Sequence, residues 1–267
     1  MLFCKRELHH LRQAVPRGDA RRQSQARKGQ AAQVKRCELR YSVVSKLVVH
    51  PRYGVRFPPC RAGACGIHLA EEGYDVTAVE LVKYNLGILK QKGSTVKAYQ
   101  GTALNLKRFQ DNTFDMTLVF GPMYHLYSFE DKVKALTEAK RVTKQGGVIL
   151  VAYCMNEYSI VLHGFKDNYI KESIKEGKVN ADFRVTPKPE DLYDYVRLED
   201  INSYNEAVGL ERLQIVAADG PANYMRQTLN AMDEETYDLF IQYHLSTCER
   251  PELLGASAHT LDILRKK

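Results

Sequence analysis

At 267 residues the chain has room for one α/β domain with insertions or for two small domains, and its 44% hydrophobic content can supply a sizeable core. No apolar run reaches the roughly 18 residues of a spanning helix, which argues against a membrane partner. The formal net charge of +7 suggests nucleic acid only until it is divided along the chain: residues 1–66 hold 15 Lys and Arg against 3 Asp and Glu, and residues 67–267 hold 24 against 29.

The first segment lacks local consistency. Eleven of the nineteen arginines but only four of the twenty lysines lie before residue 67. Residues 17–30 are nearly devoid of apolar side chains, and Pro51, Pro58 and Pro59 follow the only strand-like stretch, at 41–49. Four readings compete: a basic arm for nucleic acid, an Arg-rich targeting segment, a disordered tail, and an out-of-frame or misassembled translation joined to a genuine domain. The abrupt change from Arg to Lys usage favours the last. The folded domain is therefore expected at 67–267, with 1–66 as an aberrant basic segment.

From there strand and helix signals alternate. Leu69-Ala-Glu-Glu-Gly73 reads as a helix end, and Asp75-Val-Thr-Ala-Val-Glu80 as a β-branched strand closing on an acid. Residues 81–92 repeat apolar side chains at helical spacing (Leu81, Val82, Leu86, Leu89) and stop at Gly93. A third strand is expected at 96–100. A fourth is expected over Phe114-Asp-Met-Thr-Leu-Val-Phe120, apolar enough to be buried on both faces of a parallel sheet. A helix over 129–143, a turn at Lys144-Gln-Gly-Gly147 and a strand at 148–153 follow. Residues 154–198 read as a lid-like insertion, 197–208 as a helix, 211–218 as a strand, 233–244 as a helix and 259–265 as a last strand. Such alternation implies right-handed crossovers and a mostly parallel, doubly wound α/β sheet.

In such a sheet ligands bind beyond the carboxyl ends of the strands. Three ends then matter. Glu80 can accept hydrogen bonds from both ribose hydroxyls of a nucleoside, Thr102 and Ala103 can meet an adenine edge, and Phe120-Gly-Pro-Met-Tyr-His125 would line a reaction pocket. The six cysteines (Cys4, Cys37, Cys60, Cys65, Cys154, Cys248) have neither disulfide-framework nor zinc spacing and read as scattered thiols of a cytoplasmic protein, with no metal site expected.

The run Leu69-Ala-Glu-Glu-Gly-Tyr-Asp-Val-Thr-Ala-Val-Glu-Leu81 resembles the segment after the glycine loop of class I S-adenosylmethionine-dependent methyltransferases. Phe114-Asp-Met-Thr-Leu-Val-Phe-Gly-Pro-Met-Tyr-His-Leu126 resembles their fourth strand and pocket-forming turn, and Glu138-Ala-Lys-Arg-Val-Thr-Lys-Gln-Gly-Gly-Val-Ile-Leu150 the helix and turn before their fifth strand. The resemblance implies a Rossmann-like, seven-stranded sheet whose last strand inserts antiparallel between the fifth and sixth. It also implies S-adenosyl-L-methionine as cofactor and a small-molecule methyl acceptor; nucleic acid fits the acidic 67–267 poorly. Cofactor contacts would come from Gly63, Gly66, Glu80, Leu81, Thr102, Ala103 and Phe120, and Tyr124 and His125 are the candidates for positioning or deprotonating the acceptor.

Two positions depart from the family pattern. Pro58-Pro-Cys-Arg-Ala-Gly-Ala-Cys-Gly66 stands where an acid and a G-x-G-x-G loop are usual, and Thr102 stands where Asp or Asn is common. The first departure implies a degraded first strand and glycine loop, and an alternative function as a non-catalytic, cofactor-binding remnant. The second keeps a hydrogen-bond acceptor.

Overall fold

The computed structural model describes residues 40–45 and 64–267. In chain order the elements are β1 (Arg40–Ser45), α1 (Ala64–Glu71), β2 (Asp75–Glu80), α2 (Lys83–Gln91), β3 (Lys97–Gln100), β4 (Phe114–Phe120), α3 (Phe129–Val142), β5 (Thr143–Cys154), α4 (Asn156–Ser159), α5 (Ile170–Lys175), α6 (Leu198–Val208), β6 (Glu211–Ala217), α7 (Arg226–Ala231), α8 (Glu234–Thr247) and β7 (His259–Arg265). Among the described residues the strands form one seven-stranded sheet in the order β3-β2-β1-β4-β5-β7-β6. The pairs among β1 to β5 are parallel, and β7 runs antiparallel between β5 and β6, as the resemblance implied.

The sheet is buried on both faces because alternate side chains of its central strands point to opposite layers. On β4, Met116, Leu118 and Phe120 pack with Leu69 of α1, while Phe114 and Val119 join Leu136, Ala139 and Val142 of α3 and Ile201 and Tyr204 of α6. Leu118, Leu136, Val142, Ile149 and Ile201 are all fully buried. Each such aliphatic side chain contributes about 1.5–3 kcal/mol over leaving it in water. Helix α3 is capped by Ser128, whose side chain accepts from the Asp131 N–H, with Glu130 and Asp131 in its first turn and Lys140 and Arg141 in its last.

Three differences from the sequence expectation have physical causes. The central strand β1 comes from inside the segment set aside as aberrant, in register with both β2 and β4. Those two strands each need a partner for their inner row of backbone groups, and 40–45 supplies it to both. Second, the expected turn at 144–147 is absorbed into β5. Pairing with β4 jumps from Phe114↔Thr143 to Met116↔Val148, so the extra residues bulge out of the ladder, with Gly146 at φ +72°. A Cβ on Gly147 would lie 2.8 Å from the Asp115 carbonyl oxygen, which makes glycine necessary at that crossing. Third, Cys65 is disulfide-bonded rather than a lone thiol, whereas Cys154 and Cys248 lie outside any disulfide. No helix among the described residues is long and apolar enough to cross a membrane.

Candidate functional site

Parallel strands bring their carboxyl ends to one rim, and the register states which residues stand level there. Ser45 of β1 pairs with Glu80 of β2 on one side and with Phe120 of β4 on the other, while Glu80 also pairs with Gln100 of β3. Glu80 and Phe120 thus flank the same residue, and Thr102 lies two residues beyond the neighbouring strand end. The expected grouping of these three residues at one rim is present.

Glu80 is buried, with 1% exposure. Its Oε1 accepts the Val82 N–H at 2.9 Å, which ties the carboxylate to the turn into α2 and delays that helix to Lys83 rather than the expected 81. Leu81, between them, is exposed at 41%, an apolar side chain left at the rim. Across from it, the Gly101 N–H donates to the Glu80 carbonyl at 3.1 Å, so the chain leaving β3 is stitched to the end of β2. Thr102 is half-buried and its Oγ1 accepts the Leu104 N–H at 3.3 Å, holding the turn in which Ala103 is buried.

Beyond β4 the chain reverses through Gly121, at φ +126°, into a short 3-10 turn over Pro122–Tyr124. An L side chain rarely adopts that conformation, so glycine is what lets the turn fold back over the rim. His125 follows, buried, with its Nδ1 at 3.0 Å from the Leu192 carbonyl oxygen. A carbonyl only accepts, so in this arrangement Nδ1 carries the hydrogen and Nε2 is the basic nitrogen. The Tyr124 ring lies 5.0 Å from that of His125, 5.7 Å from Tyr193 and 6.0 Å from His259.

The segment that supplies Leu192 and Tyr193 is held by a buried ion pair that sequence reading missed. Lys132 of α3, 1% exposed, contacts the Asp194 carboxylate and donates to the Leu126 carbonyl. Burial raises the Asp194 pKa above its ordinary value even though Lys132 pulls it down. Burial likewise pushes the Tyr158, Tyr193 and Tyr195 hydroxyls upward, so they stay neutral donors. The insertion at 154–198 is therefore folded onto the rim rather than away from it: the Asp194 N–H donates to the Tyr124 carbonyl at 2.9 Å and the Val196 N–H to the Cys154 carbonyl at 2.9 Å.

Gly66 sits inside α1, buried, as its third residue. Gly63 lies outside the described residues. No group of three or more metal-binding side chains occurs among the described residues. The residues that bring Lys132 and Asp194 together, and those that line the ends of β5, β6 and β7, are too far apart in sequence for any spacing rule to have paired them.

A family model described as a methyltransferase domain matches residues 60–151, which begins ahead of the expected boundary at 67 and runs through the rim to β5. No curated protein matches the sequence. Among solved structures, an S-adenosylmethionine-dependent methyltransferase from Methanosarcina mazei is similar at 13% identity and a TM-score of 0.54, covering 86% of this chain and 93% of that one. Geranyl diphosphate methyltransferase is similar at 14% identity and a TM-score of 0.51 in its complex with GPP and sinefungin, covering 86% and 73%. Its complex with SAM is similar at 12% identity and a TM-score of 0.50, covering 86% and 79%. At these identities the structures speak for the fold alone.

Proposed function

We propose that this chain transfers a methyl group from S-adenosyl-L-methionine to a small-molecule acceptor held beyond the ends of β4 and β5, a reading supported by the methyltransferase-domain model that matches residues 60–151. The observation that carries the reading is the shared register of Glu80 and Phe120 across Ser45, with the Thr102 turn beside them.

The residues present fit the adenosine half of the cofactor. A buried carboxylate at Glu80 suits a ribose diol, the exposed Leu81 an adenine face, and the Thr102–Ala103 turn an adenine edge. Gly63 and Gly66 are the candidates for the methionine half. Bound S-adenosyl-L-methionine supplies a methyl group already activated on sulfur, so the protein's share of the work is alignment and exclusion of water. Phe120 and the Gly121 turn wall the site on the β4 side, and the segment pinned by Lys132 and Asp194 covers it. A neutral acceptor must also lose a proton, and His125 through Nε2, with Tyr124 beside it, is the candidate for that role. The acceptor is read as a small molecule because Tyr124, Tyr193 and Tyr195 crowd the β4–β5 end with rings, and because residues 67–267 carry net negative charge, which disfavours nucleic acid.

The test uses the full chain with S-adenosyl-L-methionine in a calorimeter, then with a panel of phenol, amine, thiol and carboxylate acceptors while S-adenosylhomocysteine is followed by mass spectrometry. Binding heat and acceptor-dependent product are expected. Binding without turnover on any acceptor would favour the non-catalytic remnant, and no binding at all would end both readings.

A further inference from the structure

Three neighbouring strands bring a cysteine, a histidine and an aspartate together at the same rim. Cys154 closes β5, His259 opens β7 directly opposite it, and Asp219 lies two residues past β6 on the far side of β7. Directly paired residues on antiparallel strands project from the same face, within reach of each other. That pairing sets the Cys154 thiol beside the His259 ring. The ring's Nδ1 lies 2.6 Å from Asp219 Oδ2, and the same oxygen accepts the His259 backbone N–H at 3.0 Å. Ser257 Oγ then accepts from the backbone N–H groups of Asp219 and Gly220 at 3.1 and 3.0 Å, which fixes the loop that carries the carboxylate. Thiol, imidazole and carboxylate stand in the order of nucleophile, base and orienting group.

We propose that Cys154 is a nucleophilic thiol whose proton is taken by an Asp219-anchored His259, and that it is a site of modification by small soft electrophiles such as disulfides and alkylating agents. Burial opposes a charged His259, but the Cys154 sulfur and the Asp219 carboxylate outweigh it and hold the imidazole pKa well above its ordinary value. The other groups facing the pair are the Tyr124 ring from the β4 turn, the neutral hydroxyls of Tyr158 from α4 and of Tyr193 and Tyr195 from the insertion, and Arg226 of α7, which faces Asp219 and Tyr158. None of these takes the thiol proton in place of His259. Cys154 itself is buried, at 6% exposure, while about one third of the His259 side chain is open, so a small reagent approaches from the histidine side.

With iodoacetamide the step is a displacement. A sulfur lone pair forms the S–C bond, the C–I bond breaks, and iodide leaves with the electron pair while the thiol proton remains on His259. With a small disulfide the same lone pair forms a new S–S bond and a thiolate leaves. Neither step needs a methyl donor or acceptor, so the result bears on Cys154 alone and is independent of the methyl-transfer reading.

The experiment treats the full-length protein with iodoacetamide between pH 5.5 and 9 and follows each cysteine by peptide mass spectrometry, with Cys248, a second buried thiol at 2% exposure, as the internal comparison. At pH 6.5 Cys154 is expected to label at least about tenfold faster than Cys248. His259→Gln is expected to cut the Cys154 rate at pH 6.5 by about tenfold or more, with Asp219→Asn falling between. Cys154 labelling no faster than Cys248 in the wild-type protein would overturn the proposal even if the variants failed to fold. So would an unchanged rate in a folded His259→Gln protein.

Discussion

Lys132 and Asp194, 62 residues apart, meet as a buried ion pair that locks the end of the insertion to the first turns of α3. Lys132 also holds the Leu126 carbonyl, so one ammonium joins the β4 turn, the helix and the cover over the rim. Removing one partner of such a pair leaves the other charged and desolvated, which costs more than the pair itself contributes.

Lys132→Met is therefore expected to lower the unfolding free energy by about 3–5 kcal/mol near pH 8. The loss is expected to shrink toward pH 5. Burial already raises the Asp194 pKa, and without Lys132 it climbs further. An acid that binds its proton more tightly folded than unfolded loses stability as pH rises from its unfolded value through its folded one. Urea unfolding of both proteins at pH 5 and pH 8 checks the sign; a variant equally destabilised at both would refute the assignment to Asp194.

Glu80→Gln is expected to weaken S-adenosyl-L-methionine binding about 10- to 100-fold, because hydrogen bonds from a diol to a carboxylate become bonds to a neutral amide. The melting temperature should change little, since the amide oxygen can still accept the Val82 N–H. Calorimetry and a thermal melt separate the two. Unchanged affinity in a folded variant would remove Glu80 from the cofactor site.

Gly147→Ala should destabilise the chain by about 1–3 kcal/mol. The added methyl would sit 2.8 Å from two backbone carbonyl oxygens, of Asp115 and Lys144, neither of which belongs to a side chain that could swing aside. A denaturant titration measures this directly, and a neutral result would mean the β5 bulge is more yielding than its geometry suggests.

His125→Ala is expected to cost about 0.5–1.5 kcal/mol by removing the hydrogen bond to the half-buried Leu192 carbonyl, and His125→Asn less, because an amide near the Nδ1 position can still donate. Equal losses in thermal melts would show that this hydrogen bond contributes nothing. Once an acceptor is known, loss of turnover in both variants at unchanged cofactor affinity would support His125 as the base.

The order of strands and helices from Asp75 to Cys154 was legible because its signals are local. The apolar run of β4, the spacing of Ala135, Leu136, Ala139 and Val142 along α3, and the acid at the end of β2 each reside within a few residues of sequence. Parallel strands then bring their carboxyl ends together without further information, which is why Glu80, Thr102 and Phe120 could be grouped before any coordinates. Helix α7 was not foreseen: its six residues, with Leu229 alone buried, are too few for a period to show.

What only the tertiary structure decided is contact between distant segments. The claim of 40–45 on the centre of the sheet depends on the unpaired edges of β2 and β4, not on the composition around it. The anchoring of His125 by Leu192, the Lys132–Asp194 pair and the Cys154–His259–Asp219 row join positions that no helical or strand period relates. Periodicity reports which face of an element is buried, because burial repeats with the backbone. It is silent on which polar group meets which across that face, because that follows from where separate elements cross.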